Sequence, residues 1–383
     1  MTMINFAGDL RSPLCFSGDT MKPIGLYIHI PFCNGKCPYC DFYSVSPDYE
    51  TVAAYVDALC QKIDQEKRVY DTVYFGGGTP SLIGSDNIAK ILSRIDRTPD
   101  CEVTLECNPS DTGAVNSAFD FQTAAKSGVN RISMGLQSAN DAERKSLGRR
   151  GRCEDVERAV ERAKKAGIEN ISLDLMLGVP NQTAESLKKS IEFCKNSGAK
   201  HISAYILKIE EGTPFHKIKS SLILPDEDET CDLYLLAVNE LEKAGFYQYE
   251  ISNFSEKGFE SRHNLKYWRC EEYLGIGAAA HSFVDGRRFY YERSIEDFIS
   301  GRPPVEDGCG GDEDEYIMLA LRLTEGLIFE NFENRFKRPV SDSLIHKAKD
   351  LEKHGLVRVT ENGISLTVSG FLVSNSIIAE LIG

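Results

Sequence analysis

The sequence predicts an α/β fold: a partial (β/α)6 barrel with a C-terminal domain that is helical and winged-helix-like. Three observations predict it. Apolar strand-like runs alternate with helical patterns six times between residue 24 and about residue 210, which implies a parallel sheet with right-handed crossovers. Residues suited to chemistry gather at the carboxyl end of each run, where the loops of a parallel barrel converge. The last part, 315–383, reads as helices followed by a hairpin, "LVRVTENGISLT".

The six runs are "IGLYIHI" (24–30), "TVYFGG" (72–77), "CEVTLEC" (101–107), "NRISMGLQ" (130–137), "NISLDLMLG" (170–178) and "KHISAYIL" (200–207). Helical patterns over 51–68, 86–96, 115–127, 153–167 and 183–197 fill the gaps, and "KKAGI" and "KNSGA" put glycine where a left-handed cap ends a helix. Six units leave the barrel short of the usual eight. A further amphipathic helix spans 226–245. The Pro-, Gly- and acid-rich stretch "SGRPPVEDGCGGDEDE" (300–315) reads as a linker. The expected division is a flexible tail at 1–22, a core barrel at 23–225, an extension at 226–300 and a C-terminal domain at 301–383.

Bulk properties exclude several classes. With 42% hydrophobic and 27% charged residues, 383 residues suffice for a full core. A net charge of −14 without a basic, aromatic-interleaved tract argues against nucleic acid. In the C-terminal part acids outnumber bases, so its winged-helix pattern reads as a structural or partner-binding cap. No run of 18 apolar residues predicts a membrane span; peripheral contact with a membrane protein stays open. The twelve cysteines are dispersed and no signal peptide precedes them, which fits a reducing cytoplasm.

Three of those cysteines form a constellation: Cys33, Cys37 and Cys40 in "CNGKCPYC", directly after the first strand. Structural zinc wants four closed ligands, and a fourth would have to come from His29 or Cys15. An iron–sulfur cluster with three cysteines leaves one iron open for a substrate or cofactor.

With "GGGTP" and the strand–helix order, this loop resembles the radical S-adenosylmethionine (SAM) superfamily. The resemblance implies a [4Fe–4S] cluster on the three cysteines and SAM chelated at the open iron. It also implies that Gly77, Gly78 and Thr79 present backbone to the amino acid end of SAM. Glu106 would take hydrogen bonds from its ribose or amine. Gln137, Arg149 and Asp174 would line the SAM site, where an arginine suits a carboxylate, and Tyr27 and Tyr39 would flank the cluster.

"YIHIPFC", "FGGGTPS", "ECNP", "RISMGLQS", "DLMLGVP" and "HNLKYW…YLGIGAAAH" run in the order of the oxygen-independent coproporphyrinogen III oxidase family. The family's dehydrogenases carry a further cysteine two residues after the third; here Phe42 stands there. "CDF" and "HNLKYW" resemble instead the heme-chaperone branch, which implies heme as ligand and heme-dependent respiratory enzymes as recipients. His263 is then the expected heme contact, with Tyr267 and Trp268 near the porphyrin and His281 second in line. The alternatives are oxidative decarboxylation of coproporphyrinogen III and, in another class, a structural zinc protein. Whether SAM is cleaved, and whether the chain forms a homodimer, stay open.

Overall fold

A strand buried on both faces needs apolar residues toward its covering helices and fitted side chains toward the barrel interior. Six segments meet this demand: β1 Ile24–Ile30, β2 Tyr70–Gly77, β3 Arg97–Cys107, β4 Arg131–Gln137, β5 Asn170–Leu177 and β6 His201–Ile206. In the computed structural model, which describes residues 22–109 and 119–383, they pair in parallel and in chain order. Leu26, Ile28, Val73, Phe75, Leu105, Ile132, Met134, Leu173 and Leu175 are buried. The alternate positions, among them Tyr27, Glu106, Ser133, Asp174 and Tyr205, open onto one cavity inside the barrel.

Crossover helices lie where the periodicity puts them, at Tyr49–Gln65, Ser85–Leu92, Cys153–Lys165 and Ala184–Ser197. Local chemistry sets their ends. Asp48 accepts a hydrogen bond from the Thr51 N–H at one N-terminus, and Gly198 caps a C-terminus in the left-handed conformation. Helix Phe121–Ser127 is the described part of the expected 115–127. The expected tail at 1–22 lies outside the described residues except for Lys22.

The sheet extends further than the six units. Five shorter strands follow β6 before the C-terminal region: β7 Tyr247–Gln248, β8 Asn253–Ser255, β9 Tyr273–Ile276, β10 His281–Val284 and β11 Arg287–Tyr290. A sixth, β12, spans Val305–Cys309. The order is β12-β11-β10-β9-β1-β2-β3-β4-β5-β6-β8-β7, with β9 parallel to β1 and the outer strands antiparallel. Residues 273–309 thus build the wall beside the cysteine loop. β12 corrects the linker reading of 300–315. It is an edge strand with all five residues exposed, so it carries no apolar alternation for a pattern to detect.

The C-terminal region has the expected helices Glu313–Ala320, Phe329–Phe336 and Asp342–Glu352, then an antiparallel hairpin, Val357–Val359 with Gly363–Leu366. It shares a continuous apolar core with the barrel. Backbone bonds join the two, Ile251 N–H donating to the Arg322 carbonyl at 2.9 Å. Among the described residues no helix is long and apolar enough to cross a membrane.

Candidate functional site

The carboxyl ends of the strands open onto a cavity of about 1230 Å³. Cys33, Cys37 and Cys40 line it, all three partly exposed. Their loop is anchored at both ends. Val45 N–H donates to the Pro31 carbonyl at 2.8 Å and Cys33 N–H to the Val45 carbonyl at 2.9 Å. Midway, Phe215 N–H donates to the Pro38 carbonyl at 3.0 Å, and the Tyr39 and Phe215 rings meet edge-on. Gly35 has a φ of +90°, a turn that a side chain would strain.

Cys33 and Cys37 have polar neighbours. Cys33 Sγ lies 3.6 Å from the Thr79 hydroxyl, and Arg149 donates to Cys37 Sγ at 3.7 Å. Burial pushes the Cys40 thiol pKa up, and the neighbouring thiols add to the rise. Among the described residues no three His, Cys, Asp or Glu side chains are gathered to hold a single metal ion. A four-iron cluster makes a different demand. Each thiolate binds its own iron, so the ligands stand farther apart than around one ion, and three thiols on one cavity wall fit that donor set.

In the "GGGTP" turn the backbone donors have partners within the fold. Gly77 N–H is directed at the Glu106 carboxylate. Gly78 N–H donates to the Ile30 carbonyl at 2.9 Å, and Thr79 N–H to the Phe32 carbonyl at 2.7 Å. These donors are engaged, and the Thr79 carbonyl accepts from the Leu82 N–H at 2.9 Å. The glycines are required by closeness. A Cβ on Gly78 would lie 2.6 Å from the Phe32 carbonyl, and one on Gly77, at φ +106°, 2.5 Å from the His29 ring.

Deeper in the cavity, Glu106 accepts from the Tyr74 hydroxyl at 2.8 Å; burial, with Asp174 nearby, pushes its pKa up to about 7. Asp174 accepts from Ser133 at 3.3 Å, and burial raises it to about 6. Arg149 is half-buried among Gly135, Asn108 and Cys37, donating to the Gly135 carbonyl at 2.9 Å. Gln137 sits at φ +69° beside a register break between β4 and β5, a strained backbone at the cavity wall. Every candidate SAM residue from the sequence therefore borders this one space: Tyr27, Tyr39, Gly77, Gly78, Thr79, Glu106, Gln137, Arg149 and Asp174.

His263 does not border it. This residue is 1% exposed, with Nδ1 paired to Thr72 Oγ1 at 2.8 Å and Nε2 to the Tyr267 hydroxyl at 2.8 Å. Tyr74 stacks on its ring at 5.3 Å, and burial lowers its pKa to about 3. The expected heme contact is thus a neutral, fully paired core histidine in this structure, and Tyr267 is the member of the pair that reaches the cavity. Sequence reading missed Tyr273, Arg288, Tyr290 and Arg293 on the same wall. They lie in and beside short strands that carry no motif.

Fold and site together define a radical SAM protein. Residues 27–194 match the Radical SAM superfamily and residues 314–373 the HemN C-terminal domain. The heme chaperone HemW of Bacillus subtilis is 34% identical, the alignment covering 93% of this chain and 98% of that protein. HemW of Escherichia coli is 37% identical over 74% of this chain and 77% of its own length. In fold, the chain matches the structure of coproporphyrinogen III oxidase (HemN) from Escherichia coli, with a TM-score of 0.78, 21% identity and coverage of 94% and 90% of the two chains. The chain belongs to the heme chaperone HemW family.

Proposed function

We propose that this chain binds heme and passes it to heme-dependent respiratory enzymes, with a [4Fe–4S] cluster on Cys33, Cys37 and Cys40 and SAM beside it. The observation that carries the reading is the single cavity. One end has three cysteines with Glu106, Gln137, Arg149 and Asp174; the other has tyrosines and arginines from residues 267–293. Its volume of about 1230 Å³ exceeds the roughly 300–1,000 Å³ of an ordinary small-molecule pocket. The relatives' description as heme chaperones supports the same reading.

When bound, the cluster and SAM supply one-electron chemistry. The chain's own residues hold and shield. Arg149 places a positive charge against Cys37 Sγ. Glu106 and Asp174 offer acceptors for hydroxyl or ammonium donors on the cavity wall. Gly77, Gly78 and Thr79 would hold the amino acid end of SAM, with Tyr27 and Tyr39 on the same cavity wall. His263, through its bond to the Tyr267 hydroxyl, positions a ring on the heme-facing wall.

Titration of purified chain with ferric heme, followed by absorbance, tests the reading. A saturable one-to-one change is expected; no binding at micromolar protein and heme would overturn it.

A further inference from the structure

We infer that His281 supplies the protein ligand to heme iron, with Arg293 paired to a heme propionate. The inference rests on the heme-binding reading and assigns the residues that carry it.

Three histidines lie at or behind the cavity wall, and the structure separates them. His263 is buried with both ring nitrogens engaged. His29 borders the cavity, yet Nε2–H donates to the Tyr43 carbonyl at 3.2 Å and Nδ1 accepts from the Tyr27 hydroxyl at 3.0 Å. His281 borders the same cavity and is exposed, and among the described residues neither ring nitrogen has a hydrogen-bond partner. Imidazole binds iron through a free nitrogen lone pair, so of the three only His281 can do so without breaking an existing bond.

Its surroundings fit that role. His281 starts β10 and pairs in register with Tyr290 of β11, whose ring stacks on the imidazole at 5.2 Å and 25°. The stack and the hairpin limit ring rotation, as a ligand on a rigid element requires. The backbone is held as well, because a Cβ on Gly275 would collide with the His281 carbonyl. Arg293, Arg288 and Asp307 are the charged groups nearest the ring.

The same wall offers a carboxylate partner. Arg288 is committed to Glu315. Among the described residues Arg293 pairs only with Asp41, at 4.0 Å and with both side chains well exposed, a weak pair that a propionate can displace. Asp41 follows Cys40 directly, so this arrangement sets the heme against the cysteine loop.

Ferric heme is titrated into the full-length chain as wild type, His281→Ala, His263→Gln and Arg293→Gln, with absorbance and electron paramagnetic resonance recorded. Wild type is expected to show a histidine-ligated iron spectrum. His281→Ala should lose it and weaken binding by at least about tenfold, with added imidazole restoring the spectrum. His263→Gln should keep the spectrum, and Arg293→Gln should keep it while weakening binding severalfold. A wild-type spectrum and affinity in His281→Ala would overturn the assignment. Absence of heme binding by the wild type would instead overturn the chaperone reading beneath it.

Discussion

Replacing Glu106 by glutamine should stabilise the cofactor-free chain at alkaline pH and leave that gain absent in acid. The carboxyl ionises near 7 in the fold against an ordinary value of 4.5, chiefly through burial. Below about pH 4.5 both folded and unfolded chains hold the proton, and no penalty arises. As pH rises the unfolded chain releases it first, so folding stability falls across the window from 4.5 to 7 and stays lower above it. A rise of that size corresponds to at most about 3–4 kcal/mol. Glu106 faces the cavity, where water screens part of the effect, which leaves about 1–2 kcal/mol. Glutamine keeps an oxygen for the Tyr74 hydroxyl and the Gly77 N–H while removing the charge. Urea unfolding of both chains from pH 5 to pH 8 measures the difference. The predicted result is a relative gain for Glu106→Gln of about 1–2 kcal/mol at pH 8 over its value at pH 5. A difference that does not change with pH would refute the reasoning, because an effect on packing alone has no such slope.

Alanine at Cys33, Cys37 or Cys40 should abolish the brown iron–sulfur absorbance after anaerobic reconstitution, since three ligands leave no spare; iron and sulfide analysis checks it. Gly78→Ala should destabilise the chain by about 2–4 kcal/mol in urea, because its Cβ would press on the Phe32 carbonyl and part β1 from β2. His263→Ala should cost about 2–4 kcal/mol in the same assay, through a cavity and the orphaned Thr72 and Tyr267 hydroxyls.

The barrel was legible because each of its six strands is both apolar and flanked by helical periodicity. The cysteine loop was legible because three thiols so closely spaced in one turn suit little besides a shared metal centre, and the polar strand ends because they recur at every unit. Other features left no local trace. β9 is four residues long, and its place beside β1 depends on a contact more than two hundred residues away in the chain. β12 is exposed along its whole length and therefore looks like a linker. The state of His263 could not be read either: "HNLKYW" announces a histidine beside aromatic residues, and only packing decides whether its nitrogens face a ligand or Thr72 and Tyr267. The glycines of "GGGTP" taught a similar lesson. The run suggested backbone brought close to a ligand, and only the packing of β1 on β2 shows that the N–H groups of Gly78 and Thr79 are already engaged.

The most direct test of heme handling by a radical SAM fold uses one preparation for two measurements. The chain is reconstituted anaerobically with iron, sulfide and SAM; half is titrated with heme and half is incubated with coproporphyrinogen III and a reductant. A cluster, saturable heme binding and no protoporphyrinogen IX are the predicted results. Formation of protoporphyrinogen IX by a preparation that binds no heme would contradict them.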